Sequence, residues 1–218
     1  MTSFRHCAPA TLCATALLLS AACSPTPEPA PDFDIVEATI PAMTAAMEAG
    51  TLTSRELVEK HLQRIALYEE DVNAVIAVNH RALAIADSLD RLRAQGTILG
   101  PLHGIPVALK DNVHTTEMPT TGGALAFAGY TPPYRATLAE NLYRAGAIVL
   151  AKTVMTELAN YIASGMPGNY SAVGGYGLNP YDPRREPREG RNDGRPVMGV
   201  GGSSSGIGTA MSFWAANV

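Results

Sequence analysis

Two stretches of the sequence carry residue types that could do chemistry: Leu109-Lys-Asp-Asn112 and Gly201-Gly-Ser-Ser-Ser-Gly206. The glycine–serine run leads into Ile207-Gly-Thr-Ala-Met-Ser-Phe-Trp-Ala-Ala216, which reads as a buried helix rather than as the continuation of a linker. A loop of this kind presents backbone donors and hydroxyls at the positive end of a helix dipole. It is not a phosphate-binding P-loop, because Ile207 stands where that motif needs lysine, and the dinucleotide spacing fails at Ser204. Gly202-Ser-Ser-Ser-Gly206 does satisfy the nucleophile elbow G-x-S-x-G, with Ser204 at its centre. That hydrolase order requires an acid and a histidine downstream, whereas the last histidine is His114, well upstream. Lys110 is a different kind of base. It follows the apolar run Ile105–Leu109, and a lysine at the end of a buried strand can be held neutral by desolvation. Alone, Lys110 reads as a strand-end cation paired with Asp111 rather than as a base.

The elements that must position these residues have distinct signatures. A helical pattern starts at Asp34, with Ile35, Val36, Ile40, Met43 and Met47 near one face and Gly50 as its stop. Thr53-Ser-Arg-Glu56 has capping-box form and opens a second helix whose inner side carries Leu57, Val58, Leu62, Ile65 and Leu67. A third helix is expected from about Asn79 to Gln95, closed by Gly96. His61 and His80 lie in these helices without partners at ligand spacing, so both read as packed or surface histidines. Ile105–Leu109 and Ala147–Ala151 read as buried strands, with a helix over Arg135–Ala145 between them. Strand, helix, strand with apolar strands predicts a sheet covered by helices. From Ala163 to Gly202 the chain is rich in glycine, proline, asparagine and serine, the composition of long loops around a site.

Taken together, Gly100-Pro-Leu-His-Gly-Ile-Pro-Val-Ala-Leu-Lys-Asp-Asn112 and Gly201–Gly206 closely resemble the amidase signature family. The resemblance runs from about Thr53 onward. It takes in Met118-Pro-Thr-Thr-Gly-Gly123, Arg144–Thr153, Glu157-Leu-Ala-Asn160 and the segment from Gly174-Gly175 to Asn179-Pro-Tyr181. It implies an α/β fold, an α/β/α arrangement with a mixed central sheet covered by helices, truncated before the sheet is complete. It also implies hydrolysis of a carboxamide C–N bond with no metal or other cofactor. Lys110 matches the family's catalytic lysine, and Ser203 its bridging serine, with a cis peptide expected between Gly202 and Ser203. Asn160, Gly201 and Gly202 are the implied substrate-binding positions. The family's nucleophilic serine lies about two dozen residues past the bridging serine. It is therefore expected beyond Val218, since Ser212 reads as a packed helix residue. The 218 residues are accordingly expected to be a fragment, folding marginally and turning over no simple amide. Two departures bear on substrate choice: a long, charged loop over Pro180–Val200, and Ile207-Gly208 where small Ser-Ala is usual.

Composition narrows the setting. Apolar residues make up 46% of the chain, charged residues 17%, and the net charge is −4, which excludes nucleic-acid binding through a basic face. Arg184, Arg185, Arg188, Arg191 and Arg195 are interleaved with acidic residues and prolines, the pattern of a solvated loop. The three cysteines, Cys7, Cys13 and Cys23, all lie in an N-terminal stretch with a basic start and a short apolar run. That is the form of a signal peptide over residues 1–22. Leu17–Cys23 further resembles a bacterial lipoprotein signal, in which Cys23 is lipidated, although Ser20 stands where leucine is commonest. A proline-rich tether over residues 23–33 and an amidase domain over 34–218 complete the expected organisation. The expected setting is the bacterial periplasm or cell envelope, with a small-molecule amide as substrate and membrane contact through the lipidated N-terminus. Two alternatives remain: a catalytically incomplete lipoprotein, and a glutaminase component of an amidotransferase, against which the leader argues.

Overall fold

The structure is a computed structural model and describes residues 32–162 and 164–206. The expected leader, most of the tether, Cys23 and the apolar stretch from Ile207 to Ala216 lie outside the described residues.

The first helix, α1 (Ile40–Glu48), begins six residues later than its apolar pattern suggested. Three local features account for this. Asp34 Oδ1 accepts a bond from Val36 N (2.9 Å), closing a turn. Glu37 sits at φ 55°, outside the right-handed region. Pro41 in the first helical turn has no N–H to spend, while the Thr39 hydroxyl caps Ala42 N. The capping box before α2 (Ser54–Val72) is present in both halves, with Glu56 N donating to Thr53 Oγ1 (3.1 Å) and Thr53 N to Glu56 Oε2 (2.8 Å). Leu67 does not face inward; it is 69% exposed. His61 is packed, its Nδ1 2.8 Å from Leu57 O. The next helix, α3 (Ala82–Ala94), starts after Asn79, whose side chain is used elsewhere: Oδ1 accepts from Arg81 N and Nδ2 donates to Val149 O.

Three strands form the main sheet: β1 (Val75–Val78), β2 (Pro106–Lys110) and β3 (Ile148–Thr153), in the order β1-β3-β2. Strand β2 runs parallel to β3 and β1 antiparallel to it, so the sheet is mixed. The two faces separate by the period of two expected of strands. On one face Ala108, Ile148 and Leu150 pack with Val58, Ile65, Ala86 and Leu89 of α2 and α3. On the other, Val107, Leu109 and Val149 pack with Met118 and with Ala139 of α4 (Thr137–Arg144). A one-residue bulge on β3, between the pairs Val107–Val149 and Ala108–Ala151, keeps Leu150 and Ala151 in the same core. The result is the α/β/α layering with a mixed sheet. Strand β1 had no counterpart in the sequence reading. The long loop region holds a short hairpin, β4 (Tyr170–Ser171) with β5 (Gly175–Tyr176), and an isolated bridge between Arg185 and Pro196.

Candidate active site

Lys110 closes β2 and projects its amine toward the glycine–serine loop, where Nζ donates to Ser203 Oγ at 2.6 Å. The two residues are 93 positions apart in sequence. The loop is seated against the end of β3: Thr156 N donates to Ser203 O (3.0 Å) and Gly206 N to Val154 O (2.9 Å). A side chain at position 206 has no room, because its Cβ would collide with Ala74 O and approach Val154 N to 2.6 Å. The Gly202–Ser203 peptide bond is cis. With the Asn169 amide oriented so that its oxygen accepts from Val200 N (2.8 Å), its nitrogen donates to Gly201 O, which ties down the entry to the loop. Burial of the Lys110 amine lowers its pKa below the ordinary lysine value, which raises the fraction available as a base.

Asp111 is not the partner of Lys110. It is fully buried and pairs with Lys152, which is equally buried at the end of β3, with Nζ 3.4 Å from Asp111 Oδ1. The register that sets Leu109 beside Lys152 brings the two side chains together. Lys152 also donates to Thr120 Oγ1 (3.0 Å) and Pro119 O (3.2 Å). The other Asp111 oxygen accepts from Thr121 N (3.1 Å), the Thr121 hydroxyl and Gly123 N (3.4 Å). Gly123 adopts φ +77°, and a Cβ there would meet Ser171 Cβ at 2.6 Å, so glycine is required twice over. Gly122 O in turn accepts from Leu158 N (2.8 Å), which anchors a left-handed turn through Leu158, Ala159 and Asn160, with φ of 42°, 60° and 62°. Consecutive non-glycine residues in this region are held only where the surroundings enforce them.

That turn forms one wall of an open cleft of roughly 490 Å³. Asn160, Gly201 and Gly202 all line it, so the three expected substrate-binding positions come together in one cleft beside the Ser203 loop. The cleft is also lined by residues that the sequence does not single out, among them Thr156, Asn169 and Arg195. Thr156 and Asn169 lie outside the family-like motifs, and their only signal was proximity to Glu157–Asn160 and to the glycine-rich loop. By residue pattern Arg195 belongs with the solvated arginines. Arg184 and Arg188 fit that description, each bound by a carboxylate two residues earlier and each largely exposed, whereas Arg195 reaches the cleft wall. Among the described residues no group of three histidine, cysteine or acidic side chains could hold a metal ion, and no helix is long and apolar enough to cross a membrane.

Comparison with known proteins matches this arrangement to a named group. A family profile described as Amidase covers residues 56–216. A glutamyl-tRNA(Gln) amidotransferase subunit from Chloroflexus aurantiacus is 38% identical over 177 residues, 80% of this chain and 32% of its own length. The peptide amidase of Stenotrophomonas maltophilia superposes with a TM-score of 0.71 at 39% identity, covering 80% of this chain and 34% of that one. An amidase family protein from Bacillus anthracis str. Ames gives 0.70 at 34% identity, covering 81% and 33%. The chain therefore spans about a third of the length of the relatives it matches.

Proposed function

The chain belongs to the amidase family, and we propose from that premise that it forms the Lys110–Ser203 part of an enzyme hydrolysing carboxamide C–N bonds. Neutral Lys110 is the base and Ser203 the bridge. A nucleophilic serine, which we place beyond Val218, attacks the carbonyl carbon. Its proton passes to Ser203 Oγ as the Ser203 proton passes to Lys110 Nζ. The tetrahedral intermediate then expels the nitrogen, which takes the proton back through the same relay, and water hydrolyses the acyl-enzyme. Gly201 and Gly202 line the cleft together with Asn160, which supports a role for all three in holding the substrate near Ser203.

The observation that carries this reading is the 2.6 Å bond between Lys110 Nζ and Ser203 Oγ. It supports the relay because Asp111 is occupied by Lys152 and burial favours the neutral amine. The reading is tested by the in-frame sequence downstream of Val218. It requires a glycine-preceded serine about two dozen residues past Ser203, and a reading frame without one sinks it.

The leader supports a second part of the proposal: export, with lipidation at Cys23 anchoring the domain to the cell envelope. Metabolic palmitate labelling decides it. Label that persists in Cys23→Ala, or no label on the parent, contradicts the anchor.

A second functional reading, the glutaminase component of an amidotransferase, draws on the similarity to the Chloroflexus aurantiacus protein. Ammonia release from glutamine alone, and only in the presence of partner subunits, would favour it over the free-standing amidase.

A further inference from the structure

Of the residues of the Pro180–Val200 loop that line the cleft, Arg195 is the one that carries a charge; the other lining residues are uncharged. We propose that Arg195 is a specificity-determining residue and selects amide substrates with a second carbonyl group, such as N-acyl amino-acid amides and peptide amides, over simple carboxamides. This rests on the cleft being the substrate site of the amidase reading.

Three observations support it. The guanidinium is positioned rather than loose. Val197 N donates to Arg184 O (2.9 Å) and Glu186 N to Arg195 O (2.8 Å), so the two arms of the loop form a short ladder. Asp193 then locks the head, with Oδ1 accepting from Arg195 Nε (2.8 Å) and Oδ2 from Nη2 (2.7 Å), while Tyr176 Oη donates to Asp193 Oδ2 (3.3 Å). Second, this fork uses one edge of a group with five N–H donors, so donors remain for a ligand while Asp193 compensates the charge. Such a group suits the oxygen of a neutral carbonyl, and the adjacent carboxylate disfavours an anion. Third, roughly 490 Å³ is far more than a small carboxamide fills, and lies in the range of sites that hold drug-sized ligands.

The test is a set of ¹H–¹⁵N titrations of the 218-residue protein with propionamide, N-acetyl-L-alaninamide and N-acetyl-L-alaninate, repeated in Arg195→Gln and Arg195→Lys. The expected result is that N-acetyl-L-alaninamide shifts the Gly201 and Gly202 amides and binds about 10-fold tighter than propionamide. Arg195→Gln should erase that preference, with Arg195→Lys intermediate because it keeps charge without the fork. If the glutamine variant loses the Glu186 and Val197 amide signals that report the ladder, the lysine variant decides. Equal affinity for the two amides, or a preference that survives both substitutions, overturns the role of Arg195 and leaves the amidase reading standing. Tighter binding of N-acetyl-L-alaninate than of its amide overturns the second-carbonyl assignment. No response at Gly201 and Gly202 to either amide overturns the amidase reading of the cleft, and the role of Arg195 with it.

Discussion

Replacing Lys152 by methionine removes one half of an ion pair in which neither partner has any exposed surface. Methionine fills most of the space of the lysine stem, so the cost comes from charge rather than from a cavity. Asp111 is left as an uncompensated buried carboxylate, a situation that destabilises by about 3–5 kcal/mol. Here Thr121 N, the Thr121 hydroxyl and Gly123 N still donate to it, so the lower end, about 3 kcal/mol, is the expected loss. For a domain of this size that lowers Tm by about 6–12 °C. The converse change, Asp111→Asn, should cost less, because burial already pushes the Lys152 pKa down and the amine can shed its proton. The double variant removes both charges and should recover part of the loss, giving a coupling of at least about 1 kcal/mol. Urea unfolding followed by circular dichroism at pH 7 measures all four corners of the cycle. Lys152→Met within about 1 kcal/mol of the parent, or a strictly additive double variant, would refute the argument that this buried pair stabilises the fold through their mutual interaction.

Further expectations concern other parts of the fold and the site. Glu69 accepts from Val75 N (2.6 Å) at the start of β1, and burial raises its carboxyl pKa to about 7. Its folded pKa lies above the unfolded value, so its contribution to stability is complete below about pH 4.5 and is lost as pH rises through 7. Allowing for partial exposure, the loss is about 1–2 kcal/mol, and Glu69→Gln should flatten the fall in Tm measured between about pH 5 and pH 8. Gly206→Ala forces a Cβ to within 2.6 Å of Val154 N, and overpacking of this kind costs about 1–3 kcal/mol. The amide signals of Thr156 and Ser203 should shift with it, and an unchanged spectrum would contradict the close approach. Titration of Lys110 followed at its side-chain resonances should give a pKa below that of an ordinary lysine. An unshifted value would remove the basis for its role as a base.

The elements that could be read from residue order are those with a local cause. The capping box at Thr53 and Glu56 needs only four residues, and β2 and β3 announce themselves as apolar runs flanked by glycine and lysine. The pairing of Lys110 with Ser203 was legible through motif resemblance, although 93 positions separate them. What escaped depends on register and on tertiary enforcement. Val75–Val78 is too short, and too uniformly apolar, to declare a strand until β3 lies beside it. The partner of Asp111 follows from setting Leu109 opposite Lys152, which no spacing along the chain encodes. The turn at Leu158–Asn160 is left-handed without a single glycine, so composition gave no warning. Arg195 shares its residue type and pairing habit with Arg184 and Arg188 and differs from them only in where the loop ladder places it.

The central claim is that Lys110 drives amide hydrolysis through Ser203. Its most direct test is ammonia release from a panel of carboxamides by the protein carrying its in-frame sequence downstream of Val218, compared with the same protein bearing Lys110→Ala. General-base catalysis of this kind contributes about 10²–10⁴-fold, so the account predicts turnover in the parent and a fall of at least about 100-fold in the variant. Hydrolysis that proceeds at the parent rate without Lys110 would contradict it.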